Sequence, residues 1–261
     1  MSEGEILLSE RRGAVLWLTL NRPKVHNAMN SALVSATHAA IRAASDDEAV
    51  RVIVLQGAGT RAFTAGADIG EIAAAGPAEM RAYNRRWLDL FRAIELCPKP
   101  VIASVRGWAT GGGTETSLAC DFVICAESAR FGLAEINIGV IPGAGAAVRL
   151  TRWVGRLKAK EILMLGRFIP GQEAVALHLA GSCVPDDRLE AATAELADEL
   201  AGRAPLALAA AKACVNFGAD PGFDAGLEFE LREFLMLFAS EDQKEGMRAF
   251  LEKRKPVFRG R

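Results

Sequence analysis

Val101-Ile102-Ala103-Ser104-Val105, then Gly107-Trp108-Ala109-Thr110-Gly111-Gly112-Gly113, then Thr114-Glu115-Thr116-Ser117-Leu118-Ala119 and Phe122-Val123-Ile124-Cys125-Ala126 alternate in character within 26 residues. A short apolar run passes through a glycine-dense turn into a short helix and returns as a second apolar run. The first and last segments read as buried strands with a helix between them, which argues for parallel pairing. Upstream, Val50–Leu55 is another buried strand, closed by Gly57-Ala58-Gly59. Ile6–Leu8 and Ala14–Leu20 are two more, joined by the turn-like Glu10-Arg11-Arg12-Gly13 and ended by Asn21-Arg22-Pro23. Ser31 to Ala44 has the helical period, with Leu33, Thr37 and Ile41 on one face, and Pro77 to Leu96 is a longer helix closed by Pro98 and Pro100. Arg61 to Asp68 reads as a loop of small residues. The strands are short and irregularly spaced, which suits a coiled or spiral α/β core better than an open doubly wound sheet.

Downstream of Pro142 the strand signal nearly vanishes. Ala146–Leu165, Gln172–Leu179, Leu189–Arg203, Leu206–Phe217, Gly222–Phe238 and Asp242–Lys253 all read as helices. The character of the chain changes near residue 200, with Pro205 as the marker. We therefore expect a core over residues 1–200 and a helical region over 201–261.

A chain of 261 residues with 51% apolar and 24% charged side chains has ordinary globular composition. It can bury roughly three-quarters of its unfolded surface without help from disulfides or a structural metal. The balance of 31 basic and 32 acidic residues gives a net charge of −1, which offers no general field for nucleic acid or an anionic membrane. Arg81, Arg85, Arg86 and Arg92 recur on one predicted helix, but Asp89 and Glu95 share it, as on a solvated face. The five cysteines are odd in number, scattered and without a CxxC pair, as expected of reduced thiols in a reducing compartment. The start, Met1-Ser2-Glu3-Gly4-Glu5, lacks the basic and apolar regions of a secretory signal. A soluble, cytoplasmic protein without membrane or nucleic-acid partners is the expectation.

Several familiar motifs fail. Gly57-Ala58-Gly59-Thr60-Arg61-Ala62 matches a dinucleotide fingerprint and follows a strand, but it runs into Phe63-Thr64-Ala65-Gly66 rather than opening a helix. No phosphate loop, nucleophile elbow or HExxH occurs. His26, His38 and His178 have no ligand spacing. Proton chemistry then falls to carboxylates.

Two segments concentrate unusual features. Ala65-Gly66-Ala67-Asp68 lacks bulky side chains, so a ligand can approach its backbone. Gly111-Gly112-Gly113 precedes the helix that carries Glu115, where unpaired N–H groups point outward. Donors from the two segments would make an oxyanion hole if they converge; the plainer alternative is that the glycines only permit a tight turn. Glu115 and Glu135 each lie among small and apolar residues, where desolvation raises a carboxyl pKa and suits it to acid–base work. Capping a helix, or pairing with an arginine such as Arg149, is the competing role for each.

Together these segments closely resemble the crotonase, or enoyl-CoA hydratase/isomerase, superfamily. The resemblance is carried by Asn21-Arg22-Pro23 with Asn27-Ala28-Met29, by Ala62-Phe63-Thr64-Ala65-Gly66-Ala67-Asp68-Ile69 and by Lys99-Pro100-Val101-Ile102-Ala103. It continues through Gly107-Trp108-Ala109-Thr110-Gly111-Gly112-Gly113-Thr114-Glu115, Phe131-Gly132, Gly139-Val140-Ile141-Pro142-Gly143-Ala144-Gly145 and the tail from Glu245 to Arg254. It implies an α/β fold, a crotonase-like spiral of ββα units with a C-terminal helical trimerisation region, assembled as a homotrimer or homohexamer. The implied substrate is an acyl-CoA thioester, with no metal and no cofactor beyond the CoA that is part of the substrate. In such a protein the thioester oxygen would be held by the N–H groups of Ala67 and Gly112. The two glutamates of the family's hydratases fall on Glu115, which would activate water, and Glu135, which would protonate the carbon next to the thioester. Ala65, Asp68 and Ile69 would belong to the substrate loop; Lys24, Phe234 and Lys253 would contact CoA, Lys253 often from a neighbouring subunit.

The implied reaction is addition of water across a 2-enoyl-CoA, by default in fatty-acid β-oxidation. A Δ3-Δ2 enoyl-CoA isomerase, a hydratase for cyclic or branched acyl groups, and a non-catalytic acyl-CoA-binding scaffold are the alternatives. Ala134 stands where the family often has Pro, Ala146 where it often has Gly, and Thr114 where several hydratases have Cys. Trp87, Leu88 and Phe91 would line either an acyl pocket or the core.

Overall fold

The computed structural model describes residues 5–218 and 222–261. The acidic start at residues 1–4, read above as lacking a signal sequence, lies outside the described residues. The chain runs β1 (Leu7–Arg12), β2 (Val15–Leu20), α1 (Ser31–Asp46), β3 (Val52–Gly57), β4 (Ala62–Thr64), α2 (Ile69–Ile72), α3 (Pro77–Leu96), β5 (Val101–Val105) and β6 (Trp108–Thr110). There follow α4 (Gly112–Ala119), β7 (Phe122–Ala126), β8 (Arg130–Gly132), α5 (Ala146–Leu165), β9 (Phe168–Pro170), α6 (Gly171–Ala176) and β10 (Ser182–Val184). Helices α7 (Leu189–Ala201), α8 (Pro205–Phe217), α9 (Phe223–Leu237) and α10 (Glu241–Leu251) complete it.

Strands β3, β5 and β7 are each followed by a short one that leaves for a second sheet. Strands β1-β2-β3-β5-β7-β10 form the first sheet and β4-β6-β8-β9 the second. Pairing is parallel except at two edges, where β1 runs against β2 and β9 against β8. The repeating unit is therefore strand, short strand, helix, wound as a spiral. The expected α/β class and its ββα units are both present.

The central strands of the large sheet, β2, β3, β5 and β7, are buried on both faces, which is why they read as apolar runs. Residues of β3 alternate between two clusters: Ile53 and Leu55 join the main core with Leu33, Ile41, Phe63 and Phe91, whereas Val52 and Val54 pack with Trp17, Ile102, Ala197 and Leu200. Helix α7 supplies Ala197 and Leu200 and covers that second face. Helix α1 is started by Asn30, whose side chain accepts the Leu33 N–H at 3.0 Å, and buries Leu33, Val34, Thr37, Ile41 and Ala44.

Five three-residue strands escaped the sequence reading. Strand β4 lies in the supposed loop 61–68, β6 in the glycine turn, and β8, β9 and β10 in stretches without strand signal. Three residues are too few for a period to show. The helix expected over Ala146–Leu165 is interrupted at Gly155, whose φ of 74° and ψ of 165° are not helical.

Helix α8 is tied to the core through Lys212. Its Nζ donates to Asp121 Oδ2 at 2.7 Å and to the carbonyls of Ile94 and Lys99 at 2.8 and 3.2 Å. Asp121 also accepts the Val101 N–H at 2.8 Å. Both side chains of the pair are nearly buried, at 9% and 13% exposure. Removing one partner of such a pair strands the other charge, so Lys212→Met is expected to cost about 3–5 kcal/mol in urea unfolding at neutral pH.

Candidate active site

The loop after β4 and the start of α4 lie against each other. Met29 N–H donates to Gly66 O at 2.7 Å and Asp68 N–H to Met29 O at 3.2 Å, a parallel bridge between Met29 and Ala67. In such a bridge the flanking residues make the bonds, so Ala67 turns its own N–H to the other side. Thr110 Oγ1 donates to Ala65 O at 2.9 Å and stitches this loop to β6. Gly66, at φ 81°, is required twice over: a Cβ there would sit 2.4 Å from Thr110 O and 2.8 Å from Gly112 N. Gly112 is the first residue of α4, where an N–H has no partner inside the helix. A Cβ on Gly112 would lie 2.6 Å from the Trp87 ring. The N–H groups of Ala67 and Gly112 thus belong to two neighbouring backbone segments.

Glu115 is on the first turns of α4 and only 4% exposed. Its Oε1 accepts the N–H groups of Ala144 and Ala146, both at 3.1 Å. Ala146 opens α5, so the carboxylate occupies the positive end of that helix, which favours the anion. Burial outweighs this help and, with a smaller push from Glu135, raises its pKa to about 7. Arg149, the partner suggested by sequence, instead binds Glu95, with Nε to Oε1 at 2.6 Å.

Glu135 opens the 3-10 turn Glu135–Ile138. Its Oε2 is buried and, among the described residues, has no hydrogen-bond partner. Its Oε1 lies 2.9 Å from the point a Cβ on Gly111 would occupy, beside the start of α4. Burial raises its pKa as well. Two desolvated carboxyls therefore flank the unpaired N–H groups at the start of α4. Thr114 keeps the two elements in register, its hydroxyl donating to Ala109 O at 2.6 Å and accepting Gly132 N–H at 3.0 Å.

Asp68 has structural work: it pairs with Arg22 at 2.9 Å and accepts the Gly70 N–H at 3.2 Å, starting α2. Ala65 lies in the same loop, and Ile69 beside it is half exposed. Lys24 is exposed on the turn Pro23–Val25. Phe234 is on α9, edge-on to Phe238 at 5.0 Å, and Lys253 is exposed just beyond α10. Neither joins the cluster around Glu115 within this chain. Trp87 and Phe91 are core residues, with Trp87 forming the wall behind Gly112, while Leu88 is half-buried. Sequence reasoning missed the Ala144 and Ala146 N–H groups. Gly143-Ala144-Gly145 ahead of a helix was the available signal, because it leaves that helix start open to an anion.

The burial of Glu115 has a consequence for stability. The fold holds its proton more tightly than the unfolded chain, so its charge costs nothing below about pH 4.5 and the full amount above about 7. Glu115→Gln removes that cost. The variant is expected to gain roughly 3 kcal/mol on wild type between pH 4 and pH 8 in denaturant unfolding.

The profile of the enoyl-CoA hydratase/isomerase family matches residues 10–261. A probable enoyl-CoA hydratase of Rhizobium meliloti is 43% identical over 257 residues, 98% of this chain and 99% of that one. A crotonyl-CoA hydratase of Syntrophomonas wolfei is 39% identical, over 98% of each chain. The crystal structure of an enoyl-CoA hydratase from Bacillus anthracis superposes with a TM-score of 0.95 at 36% identity, covering 98% of this chain and all of that one.

Proposed function

The chain belongs to the enoyl-CoA hydratase/isomerase family, and from that premise we propose that it is an enoyl-CoA hydratase that adds water across the 2,3 double bond of a short 2-enoyl-CoA. The observation that carries this reading is the pairing of two desolvated glutamates, Glu115 with one oxygen held by two N–H groups and Glu135 with one oxygen unpartnered. Moving a double bond needs one proton shuttle; adding water needs a base for the water and an acid for the carbon.

Ionised Glu115 takes a proton from water as its hydroxyl forms a bond to C3. The double-bond electrons move towards the thioester, whose oxygen becomes an enolate held by the N–H groups of Ala67 and Gly112. Neutral Glu135 delivers a proton to C2 as the enolate collapses, and the carboxyls then return to their starting states through exchange with solvent. Donors preset for the enolate need no reorganisation in the transition state. CoA stays attached throughout as part of the substrate.

Lys24, Phe234 and Lys253 are assigned to CoA, Lys253 from a neighbouring subunit, with residues 201–261 as the oligomerising region of a trimer or a pair of trimers. Exposed Phe223, Met236, Phe250 and Leu251 on and beside α9 and α10 support an interface there. Fatty-acid β-oxidation in the cytoplasm fits this substrate. No helix among the described residues is long and apolar enough to cross a membrane.

Loss of the conjugated thioester absorbance of crotonyl-CoA tests the reading. Rapid, saturable loss is expected, with kcat/KM falling below about pH 7 as Glu115 takes up its proton. Turnover of a 3-enoyl-CoA without hydration of crotonyl-CoA would replace hydratase with isomerase.

A further inference from the structure

Both N–H groups that hold Glu115 come from one turn, Ala144-Gly145-Ala146, and an arginine side chain grips the same turn. Arg149 Nη1 donates to Ala144 O at 2.9 Å, the carbonyl of the very residue whose N–H reaches Glu115 Oε1. The same guanidinium fills the space over Gly145, where a Cβ would lie 2.5 Å from Nη1. It is fixed in turn by Glu95, through Nε at 2.6 Å, and by the Phe91 ring, whose centroid is 5.3 Å from Cζ. The Arg149 and Glu95 side chains are only 14% and 18% exposed, so little solvent screens them. A guanidinium is a rigid planar fork that fixes the angle between the carboxylate and the carbonyl it binds, whereas an ammonium is a compact point charge on a flexible stem.

We infer that Arg149, braced by Glu95 and Phe91, is a positioning residue that fixes the Ala144–Ala146 turn and thereby sets both the orientation and the basicity of Glu115. It touches no substrate in this account. Its effect on turnover rests on the reading of Glu115 as the catalytic base; its effect on Glu115 itself does not. The charge of Arg149 also works against the burial that raises the Glu115 pKa. Other charged groups bear on the carboxylate too: Glu135 pushes its pKa up, and Glu95, paired to Arg149, offsets part of the arginine's charge.

The test compares wild type, Arg149→Met and Arg149→Lys by two independent readouts. The first is kcat and KM for crotonyl-CoA across pH. Arg149→Met is expected to lose 10- to 100-fold in kcat with KM changed less than about threefold, and its acidic limb should move up by about one pH unit. Arg149→Lys should keep the limb near its wild-type position while recovering only part of kcat. The second readout needs no turnover: the pH midpoint of the stability difference between each background and its Glu115→Gln counterpart. That midpoint should rise in Arg149→Met and stay in place in Arg149→Lys. Unmoved midpoints with both variants folded would overturn the proposal. A shifted midpoint in a protein that hydrates nothing would keep the coupling and discard the hydratase reading. If Arg149→Met does not fold, Arg149→Lys decides: wild-type kcat in that variant would overturn the positioning role.

Discussion

Glu135→Gln is expected to lower kcat for crotonyl-CoA hydration by about 100- to 10,000-fold and to leave KM within a fewfold of wild type. The amide fills the same volume and keeps the apolar surroundings, so the thioester should still bind through the backbone N–H groups of Ala67 and Gly112. What it cannot do is give up a proton to C2. The wild-type group is suited to that step because burial raises its pKa and because its Oε2 is not already committed to a protein donor. Glu115→Gln should lose activity on the same scale for the complementary reason, since an amide cannot accept the proton of water. The two variants are expected to differ in stability, with Glu115→Gln gaining at alkaline pH. Steady-state kinetics at pH 8, alongside binding of a saturated acyl-CoA, separates lost chemistry from lost binding.

Gly66→Ala is expected to be at least as damaging without removing any functional side chain. The added methyl would meet Thr110 O at 2.4 Å and Gly112 N at 2.8 Å, and alanine would have to adopt a φ of 81°. The two backbone segments must then separate, which pulls the Ala67 and Gly112 N–H groups out of convergence. Loss of one oxyanion donor typically costs 100- to 1000-fold, and here both are displaced. The expected signature is a collapse of kcat, with circular dichroism unchanged and modest loss of thermal stability. Alanine at the open turn Gly13, where a Cβ would meet nothing within 4 Å despite a φ of 61°, is the control for backbone strain alone.

The buried long strands and most helices were legible because their burial pattern is set within the segment, whereas β1, exposed beyond Leu7, runs on through the supposed turn at Glu10–Arg12. Val101–Val105 is buried at every position, and α1 repeats its buried residues at the helical spacing, so both signals are local. The short strands β4, β6 and β8 were not legible. Their pairing depends on the spiral bringing residues such as Ala109 and Phe131 together, and nothing within three residues encodes that. For the site, Gly111-Gly112-Gly113 and Ala65-Gly66-Ala67 stood out by composition, and the resemblance to a known family joined them to Glu115 and Glu135. The role of Arg149 was hidden, because a sequence offers no means of telling whether an arginine near two glutamates binds Glu115 or Glu95.

The most direct measurement is mass analysis of the product formed from crotonyl-CoA in water labelled with oxygen-18 and deuterium. The account predicts 3-hydroxybutyryl-CoA carrying one oxygen-18 in its C3 hydroxyl and one carbon-bound deuterium at C2. Product without oxygen-18 would mean that a double bond had moved rather than been hydrated, and oxygen-18 in a released carboxylate would mean that the thioester had been cleaved. Either of those results would contradict the assignment of Glu115 to the water that becomes the C3 hydroxyl and of Glu135 to the proton added at C2.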